Sequence, residues 1–142
     1  MKKLCSLLLA LCALFFFLTA CGGAPKIQGK EWILVSASKG KVISYVSSEY
    51  VTDVPEGTPT LECALIAKRG ALTITDVTND KTYTGTYSDR DEINPTATDY
   101  RIAFGKLKGR ALVERGTNIN DEEIQTLTLF LGDYIMSFIC AK

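Results

Sequence analysis

Histidine is absent from all 142 residues. That removes the usual general base at neutral pH, the Ser-His-Asp and Cys-His constellations, and the commonest transition-metal ligand. A surplus of one charge sign is lacking too, since 16 Lys and Arg balance 16 Asp and Glu. With neither a polybasic face nor an acidic tail, nucleic acid and anionic surfaces are not expected partners. Proline is sparse and no internal repeat or low-complexity tract is visible. Carboxylates do cluster, in "SDRDE" (Ser88 to Glu92) and in Asp121-Glu122-Glu123. A calcium loop needs about six oxygens and a glycine at its sharp turn, and Arg90 and Ile93 interrupt the first cluster. Both read as solvated loops, and nothing aims them at a shared cleft for hydrolysis. No enzymatic activity, metal or cofactor is expected.

What is present begins with one long hydrophobic run. Met1-Lys2-Lys3 is a positive flank, Leu4 to Phe17 is apolar apart from Ser6, and Leu18-Thr19-Ala20-Cys21 follows. From Leu4 to Ala20 is short for a membrane-spanning helix, which needs about 20 residues. It has the parts of a signal peptide, here a helix over 1–20. The Leu-x-Ala-Cys ending resembles the bacterial lipobox. That resemblance implies cleavage between Ala20 and Cys21, a diacylglyceryl group on the Cys21 thiol, and often an acyl chain such as palmitate on the new N-terminus. Two or more such chains anchor stably where one does not. The expectation is a lipoprotein held on the cell membrane or outer membrane, facing the extracytoplasmic side.

Removing residues 1–20 takes Lys2 and Lys3 and leaves 14 basic against 16 acidic side chains. The remainder suits one domain, with residues 21–28 read as a Gly-Gly-Ala-Pro linker and 29–142 as the folded unit. Eight apolar-rich segments have strand length, most with period-two alternation and Gly109–Thr117 less regular. They are Trp32–Ala37, Thr60–Lys68, Ala71–Thr78, Lys81–Ser88, Ala97–Phe104, Gly109–Thr117, Gln125–Leu131 and Tyr134–Cys140. Between them lie turn signals: Lys68-Arg69-Gly70 as a three-residue turn, Asn79-Asp80 and Gly132-Asp133 as two-residue turns, and a loop between Gly105 and Gly109. Short connections make sequential antiparallel neighbours, and closure protects the edges. The predicted fold is all-β, an eight-stranded antiparallel up-and-down barrel. Ser38 to Pro59 departs from the pattern. It reads as a strand extension to about Val46, a short helical turn over 47–53 and a Pro/Gly loop, together capping one open end.

Gly29-x-x-Trp32 at the start of the first strand, followed by eight strands, resembles the lipocalin-like (calycin) group. "TITDVTNDKTYTGTY" and "TLTLFLGDYIMSF" resemble small bacterial lipoproteins carrying such a domain. The resemblance implies a barrel biased toward apolar ligands, with Trp32 plugging its closed end. It also implies a basic residue packed on that ring, for which Lys142 is the candidate after the last strand. The aromatic set Trp32, Tyr83, Tyr87, Tyr100, Phe104, Tyr134 and Phe138 is the richest constellation. Trp32, Tyr83, Tyr87, Tyr100 and Tyr134 are the candidate ligand-binding residues of an apolar pocket. The same rings would also fill an eight-stranded interior, which is only just wide enough for side chains, and the large inward residues favour that filled core. Gly85 reads as a bend or as a space left for something. Gly85-x-Tyr87 with Cys63 and Cys140 resembles small lipoprotein lysozyme inhibitors, which implies an alternative: an envelope-protein partner met through the Asp89–Pro95 and Asn118–Glu123 loops. Cys63 and Cys140 fall on strands separated by the first strand of a closed barrel. At ~4.8 Å per strand they lie beyond the ~7 Å that a disulfide allows, so two free thiols are expected.

Overall fold

The computed structural model describes residues 23–47 and 56–141. Nine strands follow the chain: β1 (Glu31–Lys39), β2 (Val42–Val46), β3 (Cys63–Lys68), β4 (Ala71–Asp76), β5 (Lys81–Asn94), β6 (Ala97–Phe104), β7 (Leu107–Thr117), β8 (Glu123–Leu131) and β9 (Tyr134–Cys140). They form one sheet in the order β2-β1-β3-β4-β5-β6-β7-β8-β9, and pairing of β1 with β9 closes it. The eight-stranded antiparallel barrel is therefore β1 with β3 to β9. No helix occurs among the described residues. Of the expected helical turn, all but Ser47 lies outside them.

The ninth strand corrects the reading of Ser38 to Val46. The chain does not extend there but folds back at Gly40, which adopts φ +62, a conformation open to glycine at no steric cost. β2 then pairs with Ser36–Lys39 of β1, while β3 pairs with Glu31–Ile33 further back on the same edge. One edge of β1 thus serves two partners in succession, and its opposite edge pairs with β9 from Trp32 to Lys39.

Period two places the core as expected. Leu61, Cys63 and Leu65 point inward, as do Leu72 and Ile74, and Leu127, Leu129 and Leu131. The turns differ in detail. Arg69-Gly70 is a two-residue connection with both residues at positive φ, the geometry whose twist suits a tight hairpin. Between β4 and β5 the turn has four residues, Val77 to Asp80, because the Asp76 carboxylate accepts from both Asn79 nitrogens. Such a side-chain-to-backbone bond stabilises the wider turn. Gly132-Asp133 is the two-residue turn expected, with Gly132 at φ +59. "SDRDE" is not a loop but part of the 14-residue β5, which continues through irregular pairings with β6. Gly109 lies within β7, where a Cβ would sit 1.8 Å from the Phe130 carbonyl oxygen. At Gly85 a Cβ would meet the Ala103 carbonyl at 2.5 Å and the Phe104 ring at 2.8 Å. The room beside Gly85 is taken by Phe104.

The largest correction concerns the expected linker. Ala24, Pro25 and Ile27 are buried, Ile27 completely. The Gly23 and Ala24 carbonyls accept from Arg115 at 3.0 Å and Arg90 at 3.3 Å. The Ile27 N–H donates to the Tyr100 hydroxyl at 3.3 Å, and Trp32 Nε1 donates to the Ile27 carbonyl at 2.8 Å. Residues 23–30 therefore plug the end of the barrel where β1 begins. Burial removes Ile27 from water, a gain of about 1.5–3 kcal/mol for such a side chain. The buried backbone finds partners, as buried polar groups must.

Candidate functional site

Two ends of very different character result. At the plugged end Trp32 is fully buried, with Leu65, Leu127, Leu129 and Phe138 as other fully buried members of the same core. Tyr87 and Tyr100 meet edge to face with ring centroids 5.7 Å apart, and Tyr87 donates to Gln28 Oε1. Trp32 plugs this end as expected, but the basic residue on its ring is Lys30, whose Nζ lies 5.6 Å from the ring centroid. Lys142 lies outside the described residues. Lys30 also donates to Gln125 Oε1 and to the Lys26 carbonyl. Burial pulls its ammonium below the ordinary lysine range, opposed by the nearby Cys140 and Glu123. A small depression of about 240 Å³ remains outside Tyr87 and Tyr100.

The opposite end is open. A cavity of about 690 Å³ occupies the mouth, reaching down to Leu61, Cys63 and Ile74 on one side and Leu131 and Met136 on the other. Its interior wall is mainly apolar, and Phe104 fills the space that Gly85 provides. Tyr45, Tyr83 and Tyr134 stand at the rim, each 40–49% exposed. Lys39 lines the same rim with its Nζ 5.4 Å from the Tyr134 ring centroid, a cation-π contact. Lys81 also faces the cavity and makes no ion pair among the described residues. Asp76, 7% exposed, has both carboxylate oxygens occupied by Asn79. Beside it, burial first and the Asp76 charge second push the Cys63 thiol up to about 11. Cys63 thus stays a neutral, weakly polar part of the wall, since only a thiolate is reactive.

The candidate set therefore divides. Tyr83 and Tyr134 line the cavity, whereas Trp32, Tyr87 and Tyr100 belong to the plugged end. The interior is filled at one end and hollow at the other, so neither simple alternative describes the whole barrel. Tyr45, Lys39 and Lys81 were missed. Lys39 and Lys81 were legible, since they continue the inward phase of Ala37 and Tyr83 by two residues. Tyr45 is not, because alternation alone does not separate its strand from the one before. Cys63 and Cys140 are free thiols, on strands that flank β1 from opposite sides: Trp32 pairs with Leu65 on one edge and with Cys140 on the other. The described residues contain no cluster of three or more Cys, Asp or Glu able to hold a metal ion. Ala20 and Cys21 lie outside the described residues. Comparison with protein-family models, with curated proteins and with solved structures finds no match, so the barrel and its mouth are what the functional reading rests on.

Proposed function

We propose that this protein is a lipid-anchored, extracytoplasmic binding module that holds a small, mainly apolar ligand in the mouth of its barrel. The observation that carries this reading is the cavity of about 690 Å³, within the ~300–1,000 Å³ range of small-molecule sites. Its chemistry supports the same reading: an apolar wall for the body of the ligand, and tyrosine hydroxyls at the rim to orient it. Lys39 and Lys81 suit a ligand with an acidic end lying at the mouth, where a cation retains more of its hydration than in the floor. The anchor rests on the lipobox-like Leu18-Thr19-Ala20-Cys21, and the lipocalin-like relationship on Gly29-x-x-Trp32 with an eight-stranded barrel.

Titration of the chain from residue 21, carrying Cys21→Ser for solubility, with anilinonaphthalene sulfonate tests the site. This probe is an apolar anion, and saturable one-to-one binding is expected. Ala37→Trp should abolish it by filling the cavity, and the pair Lys39→Glu and Lys81→Glu should weaken it about tenfold, ~1.4 kcal/mol. Absence of saturable binding, or equal binding by all three proteins, would sink the reading.

A further inference from the structure

The plug determines which end of the barrel an anchor on Cys21 can hold. Gly23 is already held to the folded unit, its carbonyl bonded to Arg115, and the next carbonyl is bonded to Arg90. Behind those two bonds, Ala24, Pro25 and Ile27 are buried in the plugged end. The tether is therefore not the eight residues that composition suggests. Only Gly22 separates Gly23 from Cys21, and two Cα steps span at most ~7 Å. That is shorter than the barrel is tall. An eight-residue strand such as β6 rises about 26 Å along its own axis, or ~20 Å along a barrel axis inclined by about 40°.

We propose that the protein stands on the bilayer on its plugged end, with the cavity mouth held ~20 Å farther out and facing the aqueous side. The partner of the plugged end is thus the headgroup layer, and the turns there allow the contact. Lys68 at the end of β3 and Arg69 in the turn after it offset Asp121 and Glu122 on another connection, so these turns are neither strongly drawn to nor strongly repelled by anionic lipid. At ~20 Å the rim lysines lie beyond about two Debye lengths of the surface at physiological salt. They therefore act on the ligand and not on the membrane. The ligand arrives from solution or from another protein, and not by sliding sideways out of the bilayer. This inference rests on the anchor at Cys21, which the experiment reads separately.

Lipidated mature protein, beginning at Cys21, is reconstituted in phosphatidylcholine vesicles with an acceptor dye on a fraction of the headgroups. A donor fluorophore is installed through an azido residue at Arg69, in the turn at the plugged end, or at Asp133, in a turn at the mouth. Energy transfer should be clearly stronger from position 69, consistent with a donor ~20 Å nearer the acceptor plane. Arg90→Gln with Arg115→Gln should narrow the difference by lengthening the tether. Equal transfer from both positions, or stronger transfer from 133, overturns the orientation and leaves the anchor standing. Intact mass reads the anchor itself, and an unmodified Cys21 removes both.

Discussion

Cys63 shows how a free thiol can be inert in place. Its thiol lies on the cavity wall, and burial with the Asp76 carboxylate raises its pKa from 9.0 to about 11. A raised acid pKa means that the folded chain holds its proton more tightly than the unfolded chain does. The resulting stability is whole below pH 9 and is lost as pH rises through about 11. Alkylation at pH 8 should therefore modify the partly exposed Cys140 first, and Cys63 roughly a hundredfold more slowly than an ordinary thiol. Mass measurement over time checks this. Rapid modification of Cys63 would mean that the thiol is solvated. In urea titrations, the stability difference between wild type and Cys63→Ala should shrink between pH 9 and 11 as the neutral thiol loses its advantage. The inward phase of Cys63 was legible from Leu61 and Leu65. The neighbouring Asp76 continues the inward phase of Leu72 and Ile74, but the Asn79 bonds that hold its carboxylate were not legible, because they depend on a four-residue turn.

At the scale of elements, strands were legible and most of their junctions were not, the Gly132-Asp133 turn being an exception. Alternation over Leu127, Leu129 and Leu131 exposes a barrel strand without ambiguity, and the period does not depend on tertiary context. The plug was invisible for the opposite reason. Gly-Gly-Ala-Pro has the composition of a linker, and the sole local signal against that reading is Ile27, an isolated apolar residue. Its burial draws on Tyr100 of the distant β6, which accepts a hydrogen bond from its N–H, and on Trp32 five residues on, which donates to its carbonyl. Ile27→Ala should cost about 2–5 kcal/mol through lost burial and the cavity left behind. Thermal or urea unfolding measures it. Because the mouth lies at the other end, anilinonaphthalene sulfonate binding should survive in the folded fraction. A cost below about 0.5 kcal/mol would show that residues 23–30 cover the barrel without closing it. β2 was missed for a third reason. Val42, Ile43 and Val46 suit a strand, but only the positive φ at Gly40 tells that the strand has reversed.

For the whole molecule, the closed barrel followed from counting strands and connections, whereas the hollow could not be read from the chain. Whether inward rings fill a barrel depends on how they divide between its two ends. Trp32, Tyr87 and Tyr100 gather at the plug, leaving the mouth to Tyr45, Tyr83, Phe104 and Tyr134. Closure also has a consequence in time. Every pairing from β3 to β9 joins neighbours along the chain, and each needs only a short loop to form. The ring is completed by β1 against β9, where Trp32 meets Cys140 and the Ala141 N–H donates to the Glu31 carbonyl at 2.9 Å. Bringing those ends together means closing a loop of more than a hundred residues, an entropic cost that the local hairpins do not bear. Refolding should therefore build the β6–β7 region first and zip the seam last. Phe138→Leu, beside that seam, should speed unfolding and leave the folding rate nearly unchanged, with φ near 0, while Val113→Ala in β7 should slow folding. Stopped-flow chevrons on both variants decide it, and a high φ at Phe138 would mean that the first and last strands find each other early.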